Sequence, residues 1–139
     1  HLNFDMDMAK DQSDQHPVYY LQYAHARIAN IIKHGESLGY TLSKSFDPAL
    51  LVHNSEIDLL KKLDLFSIVM DTALETLEPQ GIANYLQSLA ANFHKFYADC
   101  RVITNDKSLS QSRLALISAV QAVLANGLRI LGIQTPERM

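Results

Sequence analysis

The sequence predicts an all-α fold, a single helical bundle, from three observations. Glycine and proline are scarce, with five and four residues in a chain of 139. No stretch alternates polar and apolar residues for long enough to predict a half-buried strand. Apolar residues instead recur at spacings of three and four, which is the periodicity of helices packed in a bundle. The length fits one domain with a single core.

The composition limits the possible partners. With 47% hydrophobic and 19% charged residues, the chain has the make-up of an ordinary globular protein. Its net charge of −3 argues against a strongly basic, non-specific nucleic-acid binder, but a local site could still grip a few nucleotides by stacking. The single cysteine, Cys100, excludes an intramolecular disulfide and fits a reducing, cytosolic setting. No uninterrupted apolar run reaches the roughly 20 residues of a membrane span, so we expect no membrane partner.

The first elements are a connecting segment and a long helix. Residues 1–16 are rich in aspartate and predict an extended stretch followed by about two helical turns, with a polar loop from Gln12 to Pro17. The start at His1, without a methionine, suggests a fragment of a longer chain. Pro17 suits the first turn of a helix, where its missing N–H costs nothing. Gly39 is a suitable C-cap, so we expect a helix that begins at Pro17 and ends just before Gly39.

That helix carries two faces. The first predicts packing against the core and consists of Val18, Leu21, His25, Ile28 and Ile32. At about 100° per residue, Tyr20, Tyr23 and Arg27 cluster roughly 150° away from it. Aromatic residues at helical spacing are usually core residues, so periodicity alone favours packing for this second face. Tyrosine and arginine also offer flat surfaces and hydrogen-bond donors suited to unstacked bases, so the residues leave both interpretations open.

Two shorter helices are expected after a linker. Residues 40–54 are polar, with a short apolar segment near their end. Ser55 is a good N-cap residue, and Asp58 three positions later approximates a capping box. The next helix is amphipathic, with an inward face of Ile57, Leu59, Leu60, Leu63 and Phe66. The segment from Ile68 to Leu77 predicts another short helix or a bent continuation of the same one.

Two long helices complete the chain. Glu78 and Pro79 restart a helix with a regular apolar seam, formed by Ile82, Leu86, Leu89, Phe93, Phe96 and Cys100. Residues 101–109 predict a polar loop. A helix from Ser110 to Ile130 is apolar on most sides, which indicates the central and most buried helix of the bundle. Gly132 ends it.

Recognisable catalytic and cofactor motifs are absent from the sequence. The six histidines are dispersed and show no metal-ligand spacing. The five glycines never form a phosphate-binding loop. Cys100 has no obvious partner base and fits a core position on its helix. We therefore predict no catalytic residue, no metal site and no cofactor site in this chain.

Four segments carry a resemblance to a known family. They are VYYLQYAHARI at 18–28, NYLQSLAANFHKFYADCRV at 84–102, RLALISAVQAVLANGLRILGI at 113–133 and PERM at 136–139. Together they resemble the C-terminal anticodon-binding helical domain of arginyl-tRNA synthetases, which are class I aminoacyl-tRNA synthetases. The likeness covers residues 1–139, with residues 1–16 similar to the segment that follows the family's catalytic domain. It departs from the family at His16, where asparagine is common.

The resemblance implies a function for a parent enzyme and for this chain. The parent would ligate arginine to its tRNA with ATP and magnesium, in the cytoplasm, as a monomer. This chain would bind the anticodon stem-loop of that tRNA, hold its unstacked middle base, a cytosine, and contact the catalytic domain of the same chain. The catalytic residues would lie in that domain. DNA is not an expected partner. The positions that match the family's anticodon-binding residues are Tyr20, Tyr23, Arg27, Tyr97 and Met139.

Two alternatives remain beside this hypothesis. One is a helical protein–protein interaction module without RNA binding, whose Tyr/Arg face packs on a partner. The other is the homologous domain of a different synthetase, such as the cysteinyl or glycyl enzyme, although the first and last of the four segments disfavour it. The anticodon hypothesis predicts that Tyr97 and Met139 join Tyr20 and Tyr23 around one surface pocket.

Overall fold

The computed structural model describes residues 17–42, 47–136 and 139, and in these residues it is all helical. The predicted all-α fold is confirmed, and the described part contains no strand. The expectations for residues 1–16, including the loop before Pro17, lie outside the described residues. The elements are α1 (Pro17–Ser37), a 3₁₀ turn (Pro48–Leu50), α2 (Asn54–Asp64), α3 (Phe66–Thr76), α4 (Gln80–Asp99) and α5 (Lys107–Ile130).

Helix α1 begins and ends close to where its sequence predicts. Pro17 occupies the first turn. Gly39 has a φ of +93°, a left-handed conformation that favours glycine, and it lets the chain reverse so that the Tyr40 N–H donates to the Gly35 carbonyl. The predicted core face is buried at Leu21, His25, Ile28 and Ile32. The prediction is wrong at Val18, which is 39% exposed. Val18 lies in the first turn of the helix, where no preceding turn covers it.

The start of α2 differs from the prediction. Its N-cap is His53, whose imidazole Nδ1 accepts the Ser55 N–H at 3.0 Å. Glu56 completes the capping box by accepting the His53 N–H at 2.9 Å, the role expected of Asp58. Ser55 lies inside the helix, where its hydroxyl donates to the Asp99 carboxylate at the end of α4. The N-cap therefore lies two residues before the predicted Ser55. An imidazole nitrogen accepts the backbone N–H here, a role that a serine or threonine hydroxyl usually has.

Helix α4 is the centre of the bundle, and the prediction that α5 would be central is wrong. Helix α4 packs against α1, α2, α3 and α5, whereas α5 packs mainly against α1, α4 and α2. The predicted seam of α4 is buried at every one of its positions. The apolar composition of α5 does not indicate a central position, because its outer side also carries exposed apolar residues, Ala119, Ala122 and Ile130. By length and composition alone α5 could cross a bilayer, but its buried residues belong to the core of the bundle.

Helices α4 and α5 approach each other closely at one glycine. A Cβ added at Gly127 would lie 2.6 Å from a side-chain carbon of Leu86, which is fully buried. A side chain at this position of α5 would therefore push into the core against α4.

A buried ion pair fixes the loop that follows α4. The Nε of Arg113 on α5 donates to the Glu56 carboxylate of α2 at 2.7 Å, and Glu56 is only 1% exposed. The same guanidinium donates through Nη1 to the backbone carbonyl of Arg101 at 2.6 Å. One arginine thus ties α2, α5 and the loop after α4 together, and this loop borders the candidate site.

Candidate nucleic-acid interface

Helices α1 and α4 bring five aromatic or cationic side chains together on one side of the bundle. Tyr20, Tyr23 and Arg27 follow each other at spacings of three and four on α1, and His94 and Tyr97 are three apart on α4. Residues at these spacings share one helix face. Because α1 packs against α4, the two faces meet. We call these five residues the aromatic–arginine cluster.

His94 lies at the centre of the cluster. Its ring centroid is 5.5 Å from that of Tyr20, with the rings tilted by 53°, and 5.7 Å from that of Tyr23, with the rings nearly parallel at 25°. His94 is only 7% exposed, whereas both tyrosines are half-buried. The tyrosines therefore cover the imidazole and keep part of their own surface towards solvent.

Arg27 is held by three members of the cluster. Its guanidinium carbon lies 4.4 Å from the ring centroid of Tyr97 and 5.9 Å from that of Tyr23, within the range of cation–π attraction. Its Nη1 donates to Nδ1 of His94 at 3.2 Å. A guanidinium carries several N–H donors, so others remain for an acceptor on a ligand.

The protonation of His94 follows from this geometry. A guanidinium can only donate, so Nδ1 must be unprotonated and the imidazole is neutral, with its proton on Nε2. Burial, and then the charge of Arg27, lower the pKa of His94 to about 4. The buried Nε2 has no hydrogen-bond partner among the described residues. Burial also raises the pKa of Tyr20, so its phenol stays protonated and can donate.

A groove opens beside the cluster, between the second half of α1 and the loop after α4. Its volume is about 610 Å³, which is enough for a small ligand such as one nucleotide. Arg27 and Tyr97 belong to both the groove and the cluster. Tyr20, Tyr23 and Met139 are not among the residues that line this groove, so it is not the single pocket expected around these three residues and Tyr97. The other lining residues include three apolar ones, Ile31, Val102 and Ile103, and the cationic or titratable His34 and Arg101.

The groove lining holds more positive than negative side chains, although the chain as a whole has a net charge of −3. Asp99 is the acidic residue of its lining, and its carboxylate accepts hydrogen bonds from Ser55 and from Lys95, the latter at 3.2 Å. Arg27 and Arg101 add two positive charges. Flat rings, an apolar floor and two guanidiniums suit a planar ligand with an anionic backbone.

The structure brings together four of the five predicted site residues. Tyr20, Tyr23, Arg27 and Tyr97 all belong to the cluster. Met139 is 53% exposed, and no described contact connects it to the cluster, so its place at the site remains a prediction.

His94 is the member of the cluster that the sequence did not single out, since it appears there as one of six dispersed histidines. The signal that identifies it is its position three residues before Tyr97, which places both on one helix face. Within residues 17–42, 47–136 and 139, no three histidine, cysteine or acidic side chains lie close enough to hold a metal ion. The cluster consists of aromatic rings and one guanidinium.

The chain is similar in sequence to one family of domains and to one kind of enzyme. Residues 21–139 match the family described as DALR anticodon binding domain. The whole chain aligns with the arginine–tRNA ligases of Listeria monocytogenes, at 44% identity over 140 residues, and of Staphylococcus carnosus, at 42% over 139 residues. The ligase of Salinibacter ruber is 41% identical over 139 residues. The chain spans about a quarter of the length of each of these relatives, 25%.

Two solved structures share the fold. The arginyl-tRNA synthetase of Thermus thermophilus matches with a TM-score of 0.74 and 32% identity, over 86% of this chain and 21% of that one. A putative arginyl-tRNA synthetase from Campylobacter jejuni matches with a TM-score of 0.77 and 30% identity, over 100% of this chain and 30% of that one. The similarity therefore extends from the sequence to the arrangement of the helices.

Proposed function

The chain belongs to the family of DALR anticodon-binding domains, and from this premise we propose that it binds the anticodon stem-loop of an arginine tRNA through the aromatic–arginine cluster. The single observation that carries the proposal is the position of Tyr20, Tyr23, Arg27 and Tyr97 on one partly exposed surface. Met139 is the fifth residue proposed for the site.

The tyrosines would supply the stacking. Half-buried rings have a fixed orientation and one accessible side, so a base can stack on them with little loss of side-chain freedom. Each stacked base contributes about 1–3 kcal/mol, largely independent of its identity. This energy would retain an unstacked anticodon base.

Arg27 would supply the polar recognition. The free edge of a cytosine presents acceptors at O2 and N3, and the N–H donors that Arg27 does not use for His94 can reach such acceptors or a phosphate oxygen. Arg101 lies on the groove beside it and would contact the backbone of the neighbouring nucleotide.

We place this binding function within a larger enzyme. Because the relatives are arginine–tRNA ligases about four times as long, we propose that the parent protein attaches arginine to tRNA with ATP and magnesium. The catalytic domain of the same chain would be the second partner of this bundle, and the setting would be the cytoplasm. This chain would contribute tRNA binding and no catalytic residue.

A binding titration tests the proposal. We expect an RNA hairpin with the anticodon loop of an arginine tRNA to bind the 139-residue chain, as measured by fluorescence anisotropy. Loss of stacking in Tyr23→Ala should weaken binding about tenfold, and Arg27→Ala should weaken it at least as much. Tyr40→Ala is the matched control, since Tyr40 is also a half-buried tyrosine but lies away from the cluster.

The groove is tested by salt dependence. Arg101→Gln should reduce the slope of log Kd against log salt concentration by about 1, the value expected for one lost phosphate contact. Arg129→Gln on α5 should leave this slope unchanged. Circular dichroism checks that each variant stays folded. If Tyr23→Ala and Arg27→Ala bind the hairpin as the unaltered chain does, the assignment of this surface to RNA is wrong.

A further inference from the structure

We infer that His94 is a positioning residue that holds the Arg27 guanidinium in place for RNA contact. The inference rests on the proposed RNA-binding function and adds a residue to it. His94 is too deeply buried to offer a base an accessible surface, being 7% exposed. Any effect it has on a bound nucleotide must therefore pass through the side chains that it touches. These are Tyr20, Tyr23, Phe93 and Arg27.

The first argument is that His94 supplies the acceptor that a buried arginine edge needs. Nη1 of Arg27 donates to Nδ1 of His94 at 3.2 Å, while the guanidinium lies over the ring of Tyr97. The hydrogen bond fixes the rotation of the guanidinium plane, which a ring contact alone leaves free. A carboxylate here would neutralise the guanidinium, whereas a neutral imidazole orients it and leaves its positive charge available to the RNA.

The second argument is entropic. An unrestrained arginine side chain loses up to about 2 kcal/mol of rotamer freedom when a ligand immobilises it. Because the contacts with His94 and Tyr97 already restrain Arg27, most of that loss is incurred on folding and not on binding. The histidine thus prepares the site before the RNA arrives.

The third argument compares His94 with a phenylalanine at the same position. Its Nε2 is buried without a hydrogen-bond partner among the described residues, an arrangement that disfavours folding. A phenylalanine at this position could make the same ring contacts with Tyr20, Tyr23 and Phe93 and would bury no unpaired N–H. The benefit of histidine must then come from the Nδ1 acceptor and its bond to Arg27.

Two substitutions separate positioning from packing. His94→Phe keeps a flat ring and removes the acceptor. His94→Asn removes the ring and keeps an amide oxygen near the position of Nδ1. If His94 positions Arg27, His94→Phe should bind the anticodon hairpin about tenfold more weakly while unfolding at the same or a higher urea concentration. His94→Asn should unfold earlier yet retain more of the RNA affinity, measured where the domain is folded.

A purely structural role predicts the opposite order, with affinity following stability in both variants. That outcome overturns the inference.

A double-mutant cycle tests whether His94 acts through Arg27. In an Arg27→Gln background, the additional change His94→Phe should have no further effect on the Kd for the hairpin. If His94→Phe weakens binding equally in both backgrounds, the inference is wrong although the RNA function stands. The inference is also wrong, and the RNA function again stands, if Arg27→Gln weakens binding and His94→Phe does not. If Arg27→Gln leaves the Kd unchanged, the inference is wrong, and if Tyr23→Ala leaves it unchanged as well, the proposed function fails with it.

Discussion

Mild acid should destabilise the bundle through His94. The pKa of this imidazole is lowered to about 4 from an ordinary value of 6.5, first by burial and then by the charge of Arg27. The unfolded chain therefore binds a proton in a range where the folded chain does not. Since the folded pKa is the lower one, the stabilising contribution is fully present above about pH 6.5 and is lost as the pH falls from there towards 4.

The size of the effect follows from the two pKa values. A difference of about 2.5 in pKa corresponds to about 3 kcal/mol once the pH is below both values. At about pH 5 the loss amounts to roughly 2 kcal/mol, and at about pH 6 to just under 1 kcal/mol. Because a domain is stable by only about 5–15 kcal/mol, such a loss would shift the unfolding midpoint clearly.

Urea unfolding at about pH 7.5, 6 and 5 measures this loss, with far-ultraviolet circular dichroism as the signal. His94→Phe is the control, because it retains the other histidines and removes only this titration. The unaltered chain should lose roughly 2 kcal/mol more than the variant between the outer two pH values. Equal losses in both proteins, or an NMR titration that places the pKa of His94 near 6.5, would refute the reasoning.

Two further predictions concern the core. Gly127→Ala places a methyl group against the fully buried Leu86, so overpacking should exceed the gain in helix propensity and lower the free energy of unfolding by about 1 kcal/mol. Glu56→Gln removes the charge that pairs with Arg113. Its amide oxygen can still accept the His53 N–H, which leaves the amide NH₂ facing the Arg113 Nε–H, a donor against a donor. It should lower the free energy of unfolding by about 3 kcal/mol, as measured by urea denaturation at neutral pH.

Matched controls exist on the same helices or their neighbours. A Cβ at Gly81 meets nothing within 4 Å, so Gly81→Ala should leave stability unchanged or raise it. Asp58 is exposed on α2, so Asp58→Asn should change stability by less than about 0.5 kcal/mol. If either control costs as much as its core counterpart, the destabilisation arises from the helix and not from the named contact.

Much of this fold could be predicted from the sequence because the helices obey their local signals. Pro17 and Gly39 bound α1, and the apolar seam of α4 is buried along its whole length. These features depend on residues that are close in the chain, and spacing alone reports them. The same holds for the pairing of Tyr20 and Tyr23 on one face of α1.

The errors arose where the outcome depends on contacts between distant residues. The helix expected to be central, α5, is apolar on most sides, but composition does not reveal which helix touches all the others. The α2 cap lies at His53 because Glu56 is held there by Arg113 from α5, 57 residues away. Spacing places His94 and Tyr97 on one face of α4, but the packing of α1 against α4 is what brings that face to Arg27.

The position of His94 explains why core and candidate site cannot be separated in this domain. Phe93, the preceding residue, is fully buried in the seam of α4, and its ring lies 5.2 Å from that of His94 and 6.1 Å from that of Tyr97. The apolar core thus continues directly into the rings that we propose for RNA binding. His94 stands at this boundary, packed on one side like a core residue and bonded to Arg27 on the other. A site built in this way is rigid because the core is rigid, so changes in core packing near Phe93 should alter RNA affinity before they unfold the domain.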